Sequence, residues 1–425
     1  MAGTSTFRKD ELGELRSLHQ EYTSVRETSV HLCAPLTVED HSLQAMPDAS
    51  PAKWHLAHTT WFFETFLLSQ HLPGYKPLDP AYRRLFNSYY NAVGDRPLRA
   101  MRHVLSRPSL DEVHAYRAHV DEAMQRLLAR ELTPDISDLV ELGLNHEQQH
   151  QELILTDLKF GLSVNPLRPA YMNRACADVP NATPELRWKS FTKGIYAAGR
   201  AGGGFAFDNE APGHKVYLVP FRMASRLVTN GEYLEFMRDG GYATANLWLS
   251  DGWDAVRANA WKAPLYWEQS DGIWWNFTLS GMQIVNESEP VCHVSYYEAD
   301  AFARWAGVRL ASEFEWEVAA RGCEVQGNFL ESGALHPQVA DQSAPLTQMF
   351  GDVWEWTGSA YLPYPGYQPA AGAVGEYNGK FMCNQMVLRG GSCATPLSHI
   401  RCTYRNFFPP HARWQFTGIR VANGD

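Results

Sequence analysis

The 425-residue sequence predicts an α+β chain in two parts, a four-helix bundle followed by a mixed α+β domain. Three observations carry this. Helical periodicity with start and stop signals runs to about residue 165. Prolines 166, 169, 180 and 184 then puncture an irregular stretch, and beyond Trp188 the chain turns to Gly- and Trp-rich β-type runs. The expected boundaries are 1–165 for the bundle, 166–190 for a linker and 191–425 for the second domain.

The first helix is expected over 6–30, where charges and apolar residues alternate with helical spacing. The second spans 51–71, with Pro51 at its start and Pro73-Gly74 beyond its end. Ser109-Leu110-Asp111-Glu112 has the form of a capping box and opens a third helix to about 130. The fourth covers 137–160, and a long connection over 73–108 separates the second from the third. In the second domain helices are expected only over 229–238 and over 295–305 with 312–321; the rest reads as short strands and loops.

Composition narrows the function. Apolar content of 45% and 20% charged residues suit a globular chain, and 14 Trp with 19 Tyr suggest aromatic-lined cavities. A net charge of -10 without a basic run argues against nucleic-acid binding. No stretch is long and apolar enough to imply membrane insertion, and residues 1–12 lack the apolar core of a secretory signal. Seven cysteines form neither a CxxC pair nor a regular set, which fits free thiols in a reducing cytoplasm.

The chemistry concentrates in Asn145-His146-Glu147-Gln148-Gln149-His150-Gln151-Glu152. On a helix, positions four apart share a face, so His146 and His150 can reach one metal ion. Trp54-His55-Leu56-Ala57-His58 supplies a third imidazole, His58, with His55 as an alternative ligand or a partner of one. Glu147 and Glu152 are further candidates, since two histidines and a carboxylate suit non-haem iron. Tyr89 and Tyr90, in Asn87-Ser88-Tyr89-Tyr90-Asn91, could donate a proton or an electron at such a centre. Arg99 and Arg102 could clamp a carboxylate. A C-terminal aromatic run, Phe407, Phe408, Trp414 and Phe416, would suit a quaternary ammonium group.

Other motifs carry a family resemblance. Gly351-Asp352-Val353-Trp354-Glu355-Trp356-Thr357, Leu388-Arg389-Gly390-Gly391-Ser392 and Gly418-Ile419-Arg420 resemble the formylglycine-generating-enzyme (sulfatase-modifying-factor) fold, a C-type-lectin-like module. The WHLAHT and HEQQHQE segments resemble the DinB-type helical bundle. In this order they resemble the ergothioneine-biosynthetic sulfoxide synthases. That resemblance implies Fe(II) held by His58, His146 and His150, and oxygen-dependent joining of a thiol to the imidazole ring of hercynine (trimethylhistidine) to give a sulfoxide. It further implies that Gln149 and Asn406 contact hercynine, while Arg99 and Arg102 hold the thiol substrate's carboxylate.

Two departures refine this. Asn406-Phe407-Phe408 stands where the best-known branch has Asn-Trp-Asp, so a carboxylate that helps hold γ-glutamylcysteine is missing and free cysteine is favoured. Phe381-Met382-Cys383-Asn384-Gln385-Met386 lacks that branch's catalytic tyrosine, which shifts the role to Tyr89 or Tyr90, as in a branch with an NSYY motif. Cys393 and Cys402 do not match the paired cysteines of formylglycine chemistry. Rival readings are an ovothiol-type synthase, disfavoured because the chain ends at Asp425 without a methyltransferase domain, a zinc-dependent thiol transferase and a lectin-like binding protein. The expected partners are hercynine, cysteine and O2, with room for a homo-oligomer.

Overall fold

Ser17 sets where the first helix begins. Its hydroxyl accepts the Gln20 N–H while the Gln20 side chain accepts the Ser17 N–H, a complete capping box. The resulting α1, Leu18–Cys33, therefore starts later than the periodicity predicts, because Leu15–Ser17 pairs antiparallel with Phe7–Lys9. The computed structural model describes residues 7–9, 15–172, 183–341, 344–370, 373–376 and 378–424. The other parts of the expected first helix and of the expected linker lie outside the described residues. The chain divides into two compact units, Met1–Pro166 with Ala371–Tyr377, and Leu167–Ala370 with Asn378–Asp425.

In the first unit α2, Ala52–Phe63, continues through a π-helical turn, Glu64–Leu68, to Ser69–His71. Every residue from Ala52 to Leu68 is buried, as expected of a helix packed on all sides. Helix α3, Leu110–Leu128, opens on the Ser109/Glu112 capping box. Helix α4, Pro134–Val164, has proline in its first turn and runs longer at both ends than periodicity alone indicates. It approaches α2 closely at Gly143, where a Cβ would lie 2.6 Å from the Phe63 ring.

All four helices meet in one buried polar knot. Glu147 of α4 accepts from Arg26 of α1 at 2.9 Å and from Arg117 of α3 at 3.1 Å. Arg26 also reaches Asp121 of α3 at 2.8 Å and Thr60 of α2 at 2.9 Å. A buried charge is tolerated when paired and hydrogen-bonded on every side, so this knot specifies how the helices assemble one residue from His146. Glu147 is thereby committed to two arginines, which removes it as a metal ligand.

The second unit is α+β. One four-stranded sheet has the order Arg309–Leu310, Val421–Gly424, Phe221–Ala224, Trp188–Phe191. Another has the order Asn406–Phe408, Met386–Arg389, Trp354–Ala360, Thr417–Gly418. Helices α5, Asn230–Arg238, α7, Tyr296–Trp305, and α8, Glu313–Ala320, each open on a capping box. The sequence reading missed α6, Ser250–Asn259, which buries only Gly252 and Val256 and so has too narrow an apolar stripe to read. The Arg-Gly-Gly motif is built in: Arg389 is buried against Glu313 and Glu317, both at 3.1 Å, and Gly390 sits at φ +100°. Among the described residues the cysteines are free, and no helix is long and apolar enough to cross a membrane. Cys176 lies outside them.

Candidate metal centre

Helical spacing builds the centre on two facing helices of the first unit. His146 and His150 share one face of α4, and His58 projects from α2. One ring nitrogen from each lies within 4.8 Å of the others, and no carboxylate joins the cluster among the described residues. Nitrogens bound to one ion at about 2.1 Å in tetrahedral directions lie about 3.4 Å apart, so a pair at the 4.8 Å limit would close by about 1.4 Å on binding.

The His58 ring is fixed on every side. Trp54, four residues earlier, stacks on it at 4.5 Å and 12°, and Trp61, three residues later, at 5.3 Å and 17°. Its Nδ1–H donates to the Phe86 carbonyl at 2.6 Å, which leaves Nε2 deprotonated. That Nε2 is buried and has no hydrogen-bond partner. A lone pair stripped of water in this way is costly unless an electrophile takes it up, so the residues present fit a metal ion.

Electrostatics agree. Burial pushes His58 and His150 well below the usual histidine pKa and His146 down to about 3, with the neighbouring imidazoles adding to the effect at His58 and His150. The three rings are therefore neutral at physiological pH, the state in which imidazole binds a metal. Three histidine ligands leave coordination positions open for substrates.

The NSYY loop is tied to this centre through the carbonyl that holds His58. Asn87, the next residue, clamps the loop: its side chain donates to the Tyr90 and Gly94 carbonyls, both at 3.0 Å, and accepts the Tyr90 N–H at 3.2 Å. Tyr90 is buried, 5.5 Å from the Trp61 ring and 5.2 Å from Phe66, and Tyr89 stacks on it at 4.7 Å. Burial raises the Tyr90 pKa, so its phenol keeps its proton. Glu376 from the 371–377 segment accepts the N–H groups of Asn91 and Ala92 at 3.0 and 2.9 Å, capping the turn that follows.

The two predicted arginines differ in their surroundings. Arg102 is buried, lies 3.3 Å over the Trp54 ring and donates to the hydroxyls of Ser50 at 2.7 Å and Ser88 at 3.2 Å. Burial and then Arg99 disfavour its charge. A guanidinium keeps its proton in a protein, so a charge held by two neutral hydroxyls favours an arriving anion. Arg99 is exposed and its guanidinium donates to the Asp48 carbonyl. Gln149 lies on α4 beside His150 and is half-buried.

In the second unit, strand alternation divides the predicted aromatics. Asn406 and Phe408 point to one face, and Phe408 lies 6.4 Å from Trp414. Phe407 points to the other and stacks on Tyr361 at 4.1 Å. Phe416 is wholly buried against His293. Asp208 and Glu210, acidic residues that could have held calcium, are engaged by Tyr367 and Asn378, and by Arg401 and Thr403.

The sequence reading missed Trp54, Trp61 and Asp157. The tryptophans stand at i-4 and i+3 from His58, and Asp157 at i+7 from His150, spacings that place each on the same helix face as its histidine. Those spacings were the available signal.

Comparison with known proteins follows the same division. The DinB superfamily profile matches residues 21–154, and that of the sulfatase-modifying factor enzyme 1-like domain matches 190–345 and 342–424. The hercynine oxygenase of Mycobacterium tuberculosis is 32% identical over 402 residues, covering 88% of this chain and 91% of that protein. The hercynine oxygenase of Mycolicibacterium thermoresistibile is 32% identical over 416 residues, covering 88% of each. The formylglycine-generating enzyme of Streptomyces coelicolor is 31% identical over 277 residues, covering 54% of this chain and 87% of its own.

Proposed function

Because the chain belongs to the hercynine oxygenase family, we propose that it joins cysteine to the imidazole ring of hercynine with O2, giving hercynylcysteine sulfoxide in ergothioneine biosynthesis. One imidazole C–H, one thiol S–H and O2 become a C–S bond, a sulfoxide S=O and one water, so O2 takes four electrons from the two substrates. The observation that carries the reading is the trio His58, His146 and His150, buried, neutral and converging, with the His58 Nε2 lone pair unpartnered. Fe(II), when bound there, supplies the redox centre at which the thiol, the imidazole and O2 meet.

The chain's own residues do the positioning. Arg102, held 3.3 Å over the Trp54 ring, receives the cysteine carboxylate, with Arg99 at the outer end of the same 3₁₀ segment, Arg99–Val104. Gln149, beside His150, orients hercynine. In the second unit Asn406, Phe407, Phe408, Trp414 and Phe416 are the residues we assign to hercynine by the family resemblance, the aromatic faces suiting its trimethylammonium group. The stacked pair Tyr89 and Tyr90 keeps a proton available to the reacting oxygen. The absence of an acid at Phe408 leaves nothing there for the amino group of a γ-glutamyl extension, which favours free cysteine.

The test is anaerobic Fe(II) reconstitution followed by O2 uptake with hercynine and either cysteine or γ-glutamylcysteine. The expected result is iron-dependent O2 consumption with cysteine and a product of the hercynylcysteine sulfoxide mass. Tight zinc binding with no O2 uptake from any imidazole–thiol pair would move the assignment to a thiol transferase.

A further inference from the structure

His150 does not stand alone on α4. Its Nδ1 lies 2.7 Å from Nδ1 of His55, whose Nε2 lies 3.2 Å from the Asp157 carboxylate, and the same carboxylate oxygen accepts the Ser50 N–H at 2.7 Å. All three side chains are buried: His55 is 2% exposed, Asp157 6% and His150 9%. The contacts leave one consistent proton arrangement. Asp157 can only accept, so His55 carries its proton on Nε2 and its Nδ1 is an acceptor. His150 must then carry its own proton on Nδ1, which turns a bare Nε2 toward His58 and His146.

We infer that Asp157 and His55 are positioning residues that set the tautomer and ring direction of His150, Asp157 from seven residues further along α4 and His55 from α2. The inference rests on the metal-centre reading above and deepens it. His58 achieves the same end with a single contact, the Phe86 carbonyl. The His150 arrangement is a two-step relay whose origin, Asp157, is itself fixed by a backbone N–H. A buried imidazole pair has two tautomeric arrangements, and only the carboxylate end distinguishes them. Replacing Asp157 by the amide removes the carboxylate charge that holds the His55 proton on Nε2, so the reversed arrangement, with a proton on the His150 nitrogen that would bind the ion, becomes accessible. Carboxylate–histidine support of this kind raises the basicity of the ligand as well as orienting it.

The experiment is Co(II) titration of the full chain, read by chelator competition and by the Co(II) visible bands, beside thermal melting of the metal-free protein. His55→Ala and Asp157→Asn are expected to weaken Co(II) about 10–100-fold and to shift the bands. His55→Asn, whose side-chain oxygen can take the place of Nδ1 as acceptor, is expected to recover most of that loss. Should His55→Ala not fold, the nearly isosteric Asp157→Asn carries the test. Co(II) affinity and spectra within twofold of the parent for Asp157→Asn overturn the relay, as does a lowered melting temperature with unchanged affinity, which would mark a merely structural role. A parent protein that binds Co(II) no better than His58→Ala refutes the metal centre itself, and the relay with it.

Discussion

Lowering the pH on the metal-free protein probes whether three neutral imidazoles are buried together. His58, His146 and His150 are all held well below the ordinary histidine value of about 6.5, with burial the first cause. The unfolded chain takes up protons at these sites as pH falls through 6.5, while the folded chain does not. Stability is therefore fully present above the unfolded value and is lost as pH falls, until the folded values are reached. Between pH 7.5 and 5.5, each such histidine costs about 1.4 kcal/mol and the three together about 4 kcal/mol. The assay is urea unfolding at both pH values, monitored by tryptophan fluorescence, for the parent and for His146→Leu. The variant should lose about 1.4 kcal/mol less than the parent on acidification, every other titrating group cancelling in the comparison. Equal losses in the two proteins would refute the reasoning, because they would mean that His146 takes up its proton within the fold.

Three further outcomes follow from other contacts. Glu147→Gln leaves Arg26 and Arg117 buried without their shared carboxylate and should destabilise the first unit by about 3–5 kcal/mol in urea melts, as expected for breaking a buried ion pair. Arg102→Ala should raise KM for cysteine more than tenfold while leaving Fe(II) binding intact, and Arg102→Lys should rescue it poorly because a point charge cannot lie flat on Trp54. Phe replacing Tyr89 and Tyr90 together should lower sulfoxide formation and divert turnover toward cysteine sulfinate, measured by product mass; unchanged kinetics and products in the double variant would remove both from the chemistry.

The helix-borne part of the site was legible because it is local. His146 and His150 are related by one helical turn, and the capping boxes at Ser109, Ser295 and Ser312 announce helix starts in three or four letters. Family motifs extended that reading to the second unit. Glu147 shows where local reasoning stops: its spacing made it a ligand candidate, yet two arginines 121 and 30 residues away claim it. Helix α6 escaped because its burial rests on a glycine and a valine, too little to set a period.

The sequence by itself determined the two-part order and the His146/His150 pair, since each depends on residue type and on short periodic spacing, while spacing left His55 and His58 both open as the third imidazole. Only the tertiary structure decided which nitrogen of the His58 and His150 rings faces the centre. That choice rests on hydrogen bonds from Phe86, His55 and Asp157, which helix packing alone brings within 2.6–3.2 Å. It also separated a stacked, buried Arg102 from an exposed Arg99, two residues identical in type and three apart, because burial is a property of what the rest of the chain places around them.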